Sequence, residues 1–305
     1  VITVDGEVKI CSRTQNSELF SHVLGGYGLF AIILEVWIRP VPNKILRSSS
    51  REIKIADFPK AWKEITKEGV ELAYGRLSVS PNSFFQTVLL NSYKADNDRV
   101  AHDPLPYVID YKSRLSRAIF RASVGSDRGK SLRHGLERSF GGELSGISPR
   151  SRLLSEPAKV FGNNDPTMRD LLLEYFIPVM KFESFVKQAA PVIQTEYDSL
   201  LNVTVREIAK DIETALPYAR QDMFGLVMLF TIERGLENEE GIAKMARRLI
   251  DLVHPMDGTF YLPYRNFASQ EQLKKCYPEF TKFLMQKVKF DPQEIFSSGF
   301  YEKYR

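Results

Sequence analysis

At 305 residues, 43% of them apolar, the chain is long enough for two domains and rich enough for a sizeable core. Its 42 basic and 38 acidic side chains leave a charge of +4, too mild a surplus to indicate nucleic acid as a partner. Two cysteines, Cys11 and Cys276, and four scattered histidines form neither a disulfide scaffold nor a metal-ligand spacing, and no apolar run reaches the roughly 18 residues of a membrane span.

In chain order, Asp5-Gly6-Glu7-Val8 reads as a hairpin turn, residues 9–11 continue the strand, 12–16 turn, and Ser17-Glu18-Leu19-Phe20 opens a short helix. Gly25-Gly26-Tyr27-Gly28 follows. Glycines here admit φ > 0 and leave the backbone bare, which suits either a tight hairpin or bulge, or the close approach of a flat or charged ligand. Ile32-Ile33-Leu34 then reads as a buried strand. The chain begins at Val1, within the hairpin pattern, and so reads as a piece of a longer polypeptide.

Arg39-Pro40-Val41-Pro42 punctuates the chain, and a domain boundary is expected near residue 45. Beyond it, 51–55 reads as a strand, 58–66 as a helix, and 71–79 and 84–92 as strands. That is the pattern of an α+β layer with helices on one face of an antiparallel sheet. Residues 112–138 carry Lys112, Arg114, Arg117, Arg121, Arg128, Lys130, Arg133 and Arg138 against Asp127 and Glu137. The run reads as a basic amphipathic helix followed by a looser Gly/Ser-containing stretch. Either it presents a solvated face, or it is a surface-binding or lid element that approaches anionic lipid or a phosphate-bearing substrate.

Residues 170–178 read as an apolar strand with one carboxylate, Glu174, which sits either at an exposed strand end or in a cleft with a partner. The next strand, 200–208, supplies one: Thr204 and Arg206 share a face by period-two alternation, so Glu174 and Arg206 are expected to pair from neighbouring strands. Residues 223–230 read as another buried strand.

The order of the first 36 residues (D-G, strand, C-S-R, N-S-E-L-F, short helix, G-G-Y-G-L-F-A-I-I, strand) resembles the second half of the FAD-binding domain in the vanillyl-alcohol-oxidase and p-cresol-methylhydroxylase (PCMH) family of flavoproteins, with Ala31 where that family usually has glycine. The stretches E-Y-F-I-P at 174–178 and V-R-E-I at 205–208 resemble the substrate (cap) domain of its sugar-alcohol and aldonolactone oxidase and decaprenylphosphoryl-ribose oxidase branches. Residues 257–265, Tyr277-Pro278 and 290–296 resemble the C-terminal series of the last branch. Tyr264 stands where that series has lysine.

The resemblance implies an α+β fold: the end of a PCMH-type FAD-binding domain over 1–45, a cap over 46–255, and a segment over 256–305 that returns to the flavin. It implies FAD as cofactor, held along the backbone of Gly25, Gly26, Gly28, Leu29, Ala31 and Ile32 and by Tyr261. Glu174, Arg206 and Tyr264 are implied as catalytic residues facing the flavin, with no metal. The implied activity is oxidation of a CH–OH group in a sugar, polyol or polyprenyl-linked sugar, with this piece, which lacks the family's N-terminal FAD subdomain, expected to be inactive alone. The alternatives are flavin-dependent reduction of a C=C bond, or a non-catalytic split cap module. The expected setting is cytoplasmic, at the membrane periphery if residues 112–138 make that contact.

Overall fold

A computed structural model describes residues 1–101, 111–140, 146–155, 162–196 and 198–305. Its centre is an eight-stranded sheet with every pairing antiparallel. The strands are β1 (Ile45–Lys54), β2 (Leu72–Leu77), β3 (Thr87–Ala95), β4 (Ile147–Pro149), β5 (Met168–Pro178), β6 (Leu200–Ile208), β7 (Met223–Glu233) and β8 (Thr259–Phe260), in the order β4-β1-β3-β2-β6-β7-β5-β8. The fold is therefore α+β, with helices flanking an antiparallel sheet.

Alternation decides which side of the sheet is covered. Leu77, Val88, Leu90, Leu171, Leu173, Tyr175, Val203, Val205, Phe224, Leu226 and Met228 are buried beneath helices. In α2 (Phe58–Lys67), Phe58, Ala61, Trp62 and Ile65 recur at helical spacing and turn one apolar stripe inward, while a proline in the first turn suits the helix start. Phe58 meets Phe224 at 5.3 Å and Phe182 at 5.0 Å, the latter opening α3 (Phe182–Ile193). In α4 (Leu236–Val253), Glu237 and Glu239 favour the N-terminal turn, and Ile242, Met245, Leu249 and Val253 face the sheet.

The first segment packs on the last. Helix α1 (Ser17–Val23) is followed by Phe30, whose ring lies 5.1 Å from Phe283 in α6 (Phe280–Phe290), and Tyr27 lies 4.9 Å from Phe300 in α7 (Gly299–Tyr304). A buried ion pair, Lys287 with Asp291, closes the end of α6. Asp291 also accepts hydrogen bonds from the amides of Ile295 (3.0 Å) and Phe296 (2.8 Å), which turns the chain toward α7.

Two expectations are corrected. Residues 32–34 are not a buried strand: Ile32 makes one bridge to Ile2, and no strand among the described residues pairs with residues 33–44. Ile33, Leu34, Val36, Trp37 and Ile38 are exposed, Trp37 at 91%. Apolar character marks the run for burial without supplying the neighbour that would bury it. Second, the stretch after the basic helix α8 (Tyr111–Arg121) is not loose but a second helix, α5 (Asp127–Phe140). Ser126 accepts the Gly129 amide at 3.1 Å, and Asp127 lies in the first turn, a helix start that outweighs the glycines.

Much of the basic run turns inward. Arg121 donates to Asp170 (2.9 Å) and Thr231 (3.1 Å), Arg117 to the Gly162 carbonyl (3.0 Å), and buried Arg133 to Ser123 (2.9 Å) and the Leu201 carbonyl. Burial pushes the Lys130 amine down to about 8, against the opposing pull of Asp198 and Asp127. Arg114, Arg128 and Arg138 remain exposed, and the Lys112 side chain lies outside the described residues. Among the described residues no helix is long and apolar enough to cross a membrane.

Candidate active site

The second face of the sheet carries Asp170, Leu172, Glu174 and Phe176 from β5, Gly225, Val227 and Leu229 from β7, and Asn202, Thr204 and Arg206 from β6, as register and alternation require. Glu174 and Arg206 do pair, with Oε1 to Nη2 at 3.9 Å. Their strands are not neighbours, however. β7 runs between them, and Gly225 is paired to Arg206 on one side and to Phe176 on the other.

Gly225 makes the meeting feasible. A Cβ there would lie 3.3 Å from Glu174 Oε1, 3.3 Å from the Phe176 ring and 3.4 Å from Ile208. The missing side chain is the space into which the carboxylate leans toward the guanidinium. Glu174 is 8% exposed and Arg206 50%, so the acid is set into the floor while the base stands at the solvent edge. Burial raises the Glu174 carboxyl above its ordinary value, and the nearby Arg206 charge only partly offsets this.

Aromatic residues wall the pair. The Tyr261 amide donates to the Glu174 carbonyl at 2.9 Å, an extension of the β5–β8 pairing that fixes the 261–264 turn beside the acid. Tyr261 meets Tyr264 at 4.7 Å, nearly edge to face, and Tyr218 at 5.8 Å; Tyr218 stacks on Phe176 at 4.4 Å. Burial raises the phenols of Tyr264 and Tyr218, and the Glu174 charge adds to it in both. Both hydroxyls therefore remain protonated donors at neutral pH.

The 209–222 loop carries Tyr218 and joins this wall to the glycine turn. Asp211 accepts the amides of Glu213 (2.8 Å) and Thr214 (3.1 Å), an arrangement that pins the loop. The Ala215 amide reaches the Ser21 carbonyl at 2.9 Å, and Thr214 lies 3.7 Å from where a Gly25 Cβ would be. Tyr27, held at φ 55° between Gly26 and Gly28, is pushed well above the ordinary phenol range, first by burial and then by Tyr261 and Tyr218.

Of the residues implied as cofactor contacts, Gly25 (φ 68°) and Gly28 (φ 75°) are exposed, and a Cβ on Gly28 would meet nothing within 4 Å. Gly26 is buried, and its missing Cβ makes room for the His22 carbonyl. Leu29 and Ala31 face the core, with the Leu29 amide bonded to the Gly26 carbonyl. Ile32 is exposed, its amide bonded to Ile2. The structure thus gathers Glu174, Arg206, Tyr264 and Tyr261, and the 209–222 loop links them to the turn at residues 25–28. Gly225 and Tyr218 carry no sequence signal that would have singled them out.

Among the described residues no group of three or more His, Cys, Asp or Glu side chains could hold a metal ion. Neither a protein-family model nor a curated protein matches this chain.

Proposed function

We propose that this chain is the substrate-holding part of a flavin-dependent oxidoreductase of the vanillyl-alcohol-oxidase type, with residues 1–45 and 256–305 belonging to a PCMH-type FAD-binding domain and 46–255 to the cap. The observation that carries the reading is the convergence of Glu174, Arg206 and Tyr264, residues distant in sequence, at one place on the sheet, with the 209–222 loop tying their tyrosine wall to the glycine turn.

The residues fit FAD in part. Gly25 and Gly28 offer exposed backbone without Cβ atoms, and the Tyr27 phenol between them feels Tyr261. Leu29 and Ala31 present no side chain outward and would contribute backbone alone. When bound, the flavin supplies a ring that accepts a hydride. Arg206 and the protonated Tyr264 donate hydrogen bonds to the substrate hydroxyl oxygen and fix the carbinol. Glu174, whose burial brings it nearer neutrality, takes the hydroxyl proton as the carbon loses hydride, so that alcohol becomes carbonyl. A tyrosine where the resembled branch has lysine polarises without adding charge.

The substrate class is a sugar, polyol or lipid-linked sugar, in a cytoplasmic setting. Contact with an anionic membrane through residues 112–138 would fall to the exposed Arg114, Arg128 and Arg138. The test is an anaerobic visible spectrum, during titration with polyols, sugars and sugar lactones, of the polypeptide extended upstream of Val1 so that the rest of the FAD-binding domain is present. Bleaching of the flavin band by one class supports the reading, and a flavin that stays oxidised throughout contradicts it.

One observation favours a second reading, in which the chain is a module that works with another polypeptide. The bare apolar run at residues 33–38 is of a kind that marks interaction surfaces.

A further inference from the structure

The helical pair α8 and α5 is held on the molecule without apolar packing. Among the described residues none of its apolar side chains is buried or packs against the core, and the side chains it does bury are Ser123, Lys130 and Arg133. Tyr111, Leu115 and Ala118 recur at helical spacing on the exposed side of α8, and Leu132 of α5 is 62% exposed. The apolar stripe that ordinarily faces a core faces water here, and cations face the protein.

The ties are polar, and those to the sheet reach one face. Arg121 holds Asp170 and Thr231, which stand opposite each other on β5 and β7, and Arg133 holds the Leu201 carbonyl of β6. His134 meets Glu52 of β1 at 3.1 Å, and Arg138 lies 3.6 Å from the same carboxylate. By register, Glu52, Leu89, Arg76, Thr204, Val227 and Glu174 form one row across that face. Asp170 lies four residues before Glu174 on the same strand, about 13 Å away. The pair therefore crosses the sheet from Asp170 to Glu52 and borders the half-buried floor of Thr204, Val227 and Leu229 that leads to Glu174.

Arg133 also joins the two helices. It donates to Ser123 at 2.9 Å, and its guanidinium carbon lies 5.1 Å from the centre of the Phe120 ring, so the pair holds together as one body. Segments with few buried apolar contacts open at low free energy, and the elements that cover binding sites are drawn from them. Lifting this pair returns Lys130 and Arg133 to water, which offsets part of what the broken ties cost.

We propose that residues 111–140 form a lid, in which α8 and α5 open together from the sheet while the core stays folded, and that this opening controls entry to the floor beside Glu174. The inference stands apart from the redox reading, since it concerns access and holds for any ligand of that face.

Native-state hydrogen exchange, followed by mass spectrometry in increasing sub-denaturing urea, tests the opening. Amides of residues 114–140 should exchange about tenfold or more faster than those of β7, with little dependence on urea, because urea sensitivity scales with the surface exposed and this opening releases no buried apolar side chain. Arg121→Gln should speed exchange in 114–140 by about tenfold or more, the worth of a charge-assisted hydrogen bond, and leave β7 unchanged. Arg114→Gln, at an exposed position on α8, should alter neither. Entry is read from Leu229→Cys in a Cys11→Ser background, where Cys276 is buried: modification of the new thiol should accelerate by a similar factor when Arg121→Gln is added.

Exchange of 114–140 at the rate and urea dependence of β7 would overturn the proposal, because the pair would then open only with the whole protein. Thiol modification unmoved by an Arg121→Gln change that speeds exchange would overturn its second half, the control of entry. If Arg121→Gln fails to fold, Glu52→Gln, which releases His134 and Arg138 at an exposed position, takes its place, and unaltered exchange in it would count against the lid.

Discussion

Replacing Gly225 with alanine probes the site at its least conspicuous member. Elsewhere in a strand the change would stabilise the protein by about 0.4–1 kcal/mol, because alanine has less freedom to lose on folding. Here the methyl would sit 3.3 Å from Glu174 Oε1 and the Phe176 ring and 3.4 Å from Ile208, a few tenths of an ångström too close to each. Overpacking of a core costs about 1–3 kcal/mol. With contacts only slightly short, the net expectation is destabilisation on the order of 0.5–1.5 kcal/mol, read as a lower urea midpoint at unchanged slope. The same methyl presses the carboxylate away from Arg206, already 3.9 Å distant. Combining Gly225→Ala with Glu174→Ala should therefore recover part of the loss, a coupling of at least about 0.5 kcal/mol. A Gly225→Ala protein as stable as the parent, with no coupling to position 174, would refute the claim that the glycine exists to admit Glu174.

Because burial raises the Glu174 carboxyl, ionising it opposes folding: stability contributed at low pH is lost as pH rises through the folded value. Glu174→Gln should then raise the melting temperature at pH 8 and leave it unchanged at pH 4, and an equal effect at both would contradict the assignment. Asp291 behaves oppositely. Burial pushes it up, but Lys287 and the two amides outweigh this and hold it below the ordinary carboxylate range, so its contribution is present near neutrality and lost as pH falls through that lowered value. Asp291→Asn strands a buried lysine and should cost about 3–5 kcal/mol in chemical denaturation; a loss under about 1 kcal/mol would mean that the pair behaves as a surface one. Arg121→Ala removes the tie from α8 to Asp170 and Thr231, worth about 1.5–3 kcal/mol. Limited proteolysis should then cut within residues 111–140 sooner than in the parent, and an unchanged pattern would show that α8 is held by other contacts.

The parts of the fold that were legible in the sequence are those set by local pattern. Period-two alternation around Glu174 and Arg206 put each on one face of its strand, and the Phe58 to Ile65 spacing marked a helix, because such signals span only a few residues. The order of strands in the sheet is not local. Nothing in residues 170–178 and 200–208 announces that 223–233 will run between them, so Glu174 and Arg206 were expected on adjacent strands and Gly225 passed unnoticed. Tyr218 was hidden for the same reason, since its place beside Phe176 follows from how the 209–222 loop folds back. Residues 32–38 and 112–138 show the converse limit. Apolarity and charge state what a segment can contact, and tertiary packing decides whether it does: Trp37 stays bare, while Arg121, Lys130 and Arg133 turn inward.

The central claim is that the Glu174–Arg206 pair and its tyrosines form a ligand-binding site. It is tested most directly by amide NMR of the isotope-labelled protein during titration with a panel of polyols, sugars and sugar phosphates, on the parent and on Arg206→Ala. The account predicts that one class of these compounds shifts the amides of Gly225, Val227, Tyr261 and Tyr264 together, and that the response weakens about tenfold or more in the variant. Shifts confined to other surfaces, or an Arg206→Ala protein that responds as the parent does, would contradict it.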